Sequence, residues 1–114
     1  MAHHEHRYQS SLEAAEHCAD ECEHCADRCT GEAMMAECAR LCRDCADICR
    51  LLAAFMARGS RYIAELSKSC ITICEACATE CEKHDSEHCK KCAEACRNAA
   101  AEYKKIAMVG AAAM

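Results

Sequence analysis

Fifteen cysteines fall at helical steps along a chain of 114 residues, and no other feature restricts its fold so tightly. They stand at Cys18, Cys22, Cys25 and Cys29; at Cys38, Cys42, Cys45 and Cys49; at Cys70, Cys74, Cys77 and Cys81; and at Cys89, Cys92 and Cys96. The first three groups read CxxxCxxCxxxC. The fourth lacks its first member, and Asp85 stands in its register. Steps of four, three and four keep a group on one face of an α-helix. Four helices are therefore expected, each with a stripe of thiols.

The remaining composition agrees. Pro is absent and Gly occurs 3 times, while Ala, Glu, Lys and Arg favour helix. Leu, Ile, Val and Phe number only 12, which in another chain would signal disorder. Here the cysteines occupy the places where Leu and Ile would sit. Glycines at 31 and 59, with Asp85 or Ser86 as a cap, divide the chain into helices over about 10–30, 32–58, 60–83 and 86–107. Ser10 and Glu13 have the spacing of a capping box. Residues 1–9 form a His-rich arm and 108–114 a small apolar tail. Connections this short make successive helices antiparallel. The expected fold is all-α, an up-down-up-down four-helix bundle with a cysteine-lined core.

Antiparallel packing gives the bundle two unlike ends. One gathers Leu12, Ala15, Leu52, Phe55, Met56, Ile63, Leu66, Tyr103 and Ile106 as a hydrocarbon plug. The other gathers Met34, Met35, His84, Asp85 and His88, which mark an entrance. Asp85 reads better as a helix cap than as a ligand. His17 and His24 precede stripe cysteines and fall on a solvated flank. Leu41, Ile48, Ile71 and Ile73 flank the stripes and suit either a wider core or a subunit interface.

The formal charge is −5 with both signs interspersed, so no basic patch invites nucleic acid. No apolar run approaches a membrane span. The first residues lack the apolar stretch of a secretion signal, so a cytoplasmic, reducing setting with free thiols is expected. The cysteine count is odd, which argues against a disulfide scaffold. Four stripes of so small a residue would pack poorly by themselves. Iron–sulfur proteins draw their ligands from loops at other spacings. A thiol redox sensor would need one or two unusually reactive cysteines, and these are uniform. No nucleophile–base–orienter set suggests an enzyme.

Soft metal ions remain. Thiolates select Cu(I), Zn or iron–sulfur clusters. An isolated Zn(Cys)₄ unit would carry two negative charges into a core with no cation on the stripes. Each Cu(I) instead replaces one thiol proton and leaves the core neutral. Two in-line metal–thiolate bonds span roughly 4.5 Å, and i, i+4 Cβ atoms stand about 5–6 Å apart. Bridging thiolates would allow on the order of 15 ions. The alternative is a general thiolate buffer for Zn or Cd. If the N-terminus is native, its third-place histidine can also wrap Cu(II) in nitrogen ligands.

The stripes, with CARLCRDCADIC and CEACATECEKHDSEHCKKCAEAC, resemble the bacterial copper storage proteins from about residue 11 to 107. The resemblance implies a four-helix bundle filled with Cu(I), with all fifteen cysteines as storage ligands. It also implies that Met35, His84 and His88 are entrance ligands. It further implies a homotetramer of the cytosolic branch, exchanging copper with a chaperone or efflux system.

Overall fold

A computed structural model describes residues 8–113, with side chains described for residues 8–107. The chain forms four α-helices: α1 over Gln9–Cys29, α2 over Ala36–Ala57, α3 over Ile63–Cys81 and α4 over Glu87–Ala113. A single 3₁₀ turn, Ala33–Met35, leads into α2. Helix α1 packs on α2 and α4, and α3 packs on α4 and α2. This is the four-helix bundle that the cysteine spacing implies. The N-terminal histidines His3, His4 and His6 lie outside the described residues.

Glycine makes two of the reversals. Gly31 takes φ +90° and Gly59 takes φ +65°, a region that a Cβ disfavours. After α2 the Ser60 N–H donates to the Phe55 carbonyl at 2.9 Å, and Gly59 N–H to Met56 at 3.3 Å. This is a Schellman closure, which satisfies the orphan carbonyls of a helix end.

Several boundaries differ from the expectation. Ser10 does not cap α1; Tyr8 holds that position and Ser10 lies inside the helix. The Ser10 hydroxyl donates instead to Glu102 on α4 at 2.9 Å. A charged acceptor on a neighbouring helix is the stronger partner. Glu13 accepts from Gln9 at 2.8 Å. Helix α3 begins three residues later than glycine punctuation suggests, because Ser60 Oγ accepts the Tyr62 N–H at 3.1 Å and holds a turn. Helix α4 continues to Ala113 through the segment read as a tail. Its alanines are the best helix formers and outweigh Gly110. Ser86 precedes α4, and its carbonyl accepts the Lys90 N–H at 3.1 Å. The Ser86 hydroxyl is buried without a hydrogen-bond partner.

All fifteen cysteines are buried. Alanines at 15, 19, 26, 39, 46, 78, 93, 95, 99 and 100 are buried beside them. Small flanking residues let the helices approach closely enough for small thiols to meet across the axis. The plug consists of buried Leu52, Met56, Ile63, Tyr103 and Ile106, with Leu12, Phe55 and Leu66 half-buried against it. Each fully buried Leu, Ile or Met contributes about 1.5–3 kcal/mol. Leu41, Ile48, Ile71 and Ile73 are half-buried against the same core.

Candidate metal centre

Each thiol reaches the axis because its helix repeats the 4-3-4 step, and antiparallel packing interleaves the stripes. All fifteen are free thiols. Among the described residues, five groups of four ligands lie with their donor atoms within 4.8 Å of one another. From the α1–α2 and α3–α4 connections inward they are Cys25, Cys29, His88 and Cys89; Cys25, Cys42, Cys81 and Cys92; Cys22, Cys77, Cys92 and Cys96; Cys18, Cys22, Cys45 and Cys96; and Cys18, Cys45, Cys49 and Cys74. Each group shares at least one cysteine with the next, so the sulfurs form a continuous ladder. Shared sulfurs are what bridging thiolates require.

The closest contacts run between helices. Cys45 meets Cys74 at 3.5 Å, Cys22 meets Cys92 at 3.6 Å and Cys49 meets Cys74 at 3.6 Å. The same-helix pairs Cys18–Cys22 and Cys25–Cys29 stand at 4.0 Å. Pairing across helices therefore dominates over the i, i+4 pairing that the spacing first suggests. Cys38 lies outside the five groups but touches Cys81 at 3.6 Å and Cys89 at 4.0 Å. Cys70 also lies outside them, with its S–H turned to the Ile48 carbonyl at 3.7 Å.

The residues expected at an entrance divide. His88 turns inward, its Nδ1 3.4 Å from Cys25 Sγ and 3.6 Å from Cys89 Sγ. Burial, and then the Arg28 guanidinium, hold its imidazole below its usual pKa, which favours a neutral ligand. His84 turns aside, with Nε2 3.3 Å from Glu80 Oε2. Met35 is buried, Met34 is 90% exposed and Asp85 is exposed. His17 and His24 are exposed on the flank.

Burial favours the neutral thiol at several positions of the empty core, whereas hydrogen bonds from Cys22 pull Cys77 and Cys92 down to about 7, and neighbouring thiols lower Cys18 and Cys45. Burial pushes Cys29 and Cys70 up to about 12, and it also raises Cys38 and Cys89. Among the described residues the buried polar groups other than thiols include the Ser11, Ser67, Ser86 and Tyr103 hydroxyls. Ser67 donates to the Ile63 carbonyl at 2.7 Å. Among the described residues no buried lysine or arginine would balance a row of thiolates, so a cation that replaces each proton suits this core.

Tyr103 is more than a plug. Its hydroxyl donates to Cys49 Sγ at 3.2 Å, at the blind end of the ladder. Its place in the plug gave no sign of this contact. Only the rule that a buried phenol finds a partner could have suggested it.

The family model for copper storage proteins matches residues 4–108. The chain belongs to the copper storage protein family. Copper storage protein 3 from Bacillus subtilis, in its apo form, is 40% identical with a TM-score of 0.83, covering 88% of this chain and 98% of that one. The Cu(I)-bound form of the same protein gives 40% identity and a TM-score of 0.84 over 88% and 97% of the two chains. A cytosolic copper storage protein from Streptomyces lividans, loaded with five coppers, is 33% identical with a TM-score of 0.77 over 87% and 90%. No curated protein sequence matches the chain. The resemblance read from the cysteine stripes is thus a shared family. The members' function is storage, and their solved structures include copper-bound forms.

Proposed function

We propose that this chain is a store for Cu(I) rather than an enzyme, taking many ions per molecule into its thiol core. The observation that carries this reading is the unbroken ladder of shared four-ligand groups in a core without cations. Each incoming Cu(I) displaces one thiol proton, so uptake adds no net charge to the low-dielectric interior. All fifteen cysteines serve as ligands, including Cys38 through its contacts with Cys81 and Cys89. Cys70 joins by giving up its bond to the Ile48 carbonyl.

His88 receives copper at the mouth, where its Nδ1 faces two sulfurs. Met34, Met35 and His84, soft or nitrogen donors of the same end, would hand copper inward. Asp85 serves the connection more than the metal. The copper-loaded relative described as cytosolic supports a cytoplasmic place for this chain, where a copper chaperone or efflux system would exchange with it. No helix among the described residues is long and apolar enough to cross a membrane. Leu51 and Tyr62, about half exposed beside the α2–α3 face, support self-association, with the family's tetramer as the form to test by sedimentation.

Four sulfurs within 4.8 Å of one another also suit a tetrahedral ion, so a Zn or Cd buffer is the competing reading. An anaerobic titration with Cu(I) against a competing chelator separates the two. Storage requires more than about ten equivalents taken up before the chelator gains any. Saturation at about four, with Zn binding equally well, would favour the buffer.

A further inference from the structure

We propose that Tyr103 is a positioning residue of the copper core, whose hydroxyl holds the Cys49 sulfur and closes the thiolate ladder at its blind end. This rests on the storage reading and assigns a role that the hydrocarbon plug does not explain.

Tyr103 is fully buried and is the largest side chain that is so. A buried phenol needs a partner, and a backbone carbonyl would serve. Here the hydroxyl reaches a sulfur instead, Cys49 Sγ at 3.2 Å. Cys49 belongs to the last group of the ladder, with Cys18, Cys45 and Cys74. A phenol has one proton to give, so toward a thiolate it can only donate.

The chemistry follows from what happens to Cys49 on loading. In the empty protein it is a thiol, a weak acceptor. When Cu(I) enters, the Cys49 proton leaves and a copper–sulfur bond forms with no change of oxidation state. The sulfur then carries the negative charge, and the same O–H becomes a charge-assisted donor to it. Such bonds are roughly twice as strong as neutral ones. The interaction therefore strengthens on loading and favours the filled state over the empty one. Beyond Cys49 the sequence turns to hydrocarbon, with Leu52 and Met56 buried one and two turns on. The phenol is thus the junction between ladder and plug.

The experiment is a Cu(I) competition titration of wild type, Tyr103→Phe, Cys49→Ala and the double variant, all reduced and anaerobic. Phe keeps the ring and removes only the donor. The expected result is unchanged capacity in Tyr103→Phe, with part of the copper lost to the chelator about ten-fold more readily. In the Cys49→Ala background the same change should have no effect. Unchanged retention in Tyr103→Phe would overturn the proposal, and so would an equal loss in both backgrounds, which would mean packing alone. Should Tyr103→Phe fold poorly, 3-fluorotyrosine at position 103 supplies the second variant. Its more acidic phenol should raise retention above wild type, and retention at or below wild type would overturn the assignment. A wild type that takes up only a few ions would instead sink the storage reading itself.

Discussion

At the scale of single residues, the protonation of the thiols decides behaviour in two opposite directions. Cys29 and Cys70 are pushed by burial from an ordinary 9.0 up to about 12. A group raised in the folded state binds its proton more tightly there than in the unfolded chain. Its contribution to stability is therefore full below 9 and is lost as pH rises toward 12. The copper-free bundle should melt at a lower temperature at pH 10 than at pH 7, as circular dichroism would show. Copper follows the reverse trend. Each ion must displace a proton, so affinity should rise about tenfold per pH unit for each proton released. A copper-free melt that rises between pH 7 and 10 would refute the upward shift of Cys29 and Cys70. Much of this scale was legible in the sequence, because the 4-3-4 step alone places every cysteine on an inward face. The split between His84 and His88 was not. Both lie near the mouth, and only the position of Glu80, one turn before His84, draws that ring away from the sulfurs.

At the scale of elements, the turns carry the information that stripes do not. Gly31 ends the α1 reversal at φ +90°, and a Cβ there would meet nothing within 4 Å. The penalty for Gly31→Ala is thus backbone strain alone, about 1 kcal/mol. For a chain of this size that lowers the melting temperature by about 4–8 °C. Copper capacity should stay the same, since the ladder is built by the helices. A thermal melt and a copper titration of the one variant check both halves, and reduced capacity would show that the turn shapes the mouth. Glycine stops were readable because only a residue without a Cβ takes these angles cheaply. Helix starts were less so. Tyr8, Met35 and Tyr62 stand at N-caps without a side-chain cap bond, so the usual Ser, Thr or Asp signal is absent. Ser10 looks like a cap in sequence, yet Glu102 of α4 lies within its reach. No local pattern reveals a partner 92 residues away.

At the scale of the whole molecule, cargo and fold are linked. The bundle has an ordinary hydrophobic plug at one end only; the rest of its axis is lined with small thiols that bury little hydrocarbon. In a copper-free chain of this kind the large apolar side chains are concentrated at one end, and the rest of the axis relies on small cysteines and alanines. Ions that bind the folded ladder better than the unfolded chain add RT ln(1 + [L]/Kd) each. Unfolded thiols also bind copper, so only the difference counts. The folded chain holds the advantage, because its sulfurs already lie within 4.8 Å in shared groups, whereas an unfolded chain must close a loop for each contact between helices. A difference of about 4 kcal/mol summed over all ions raises the melting temperature by more than about 15 °C. Stepwise loading followed by thermal melts measures this directly. A melting temperature that climbs with each equivalent means the ladder holds the copper and the copper, in turn, the ladder. An unchanged one would mean the ions bind the thiols equally well without the bundle, and the four stripes would then have no part in storage.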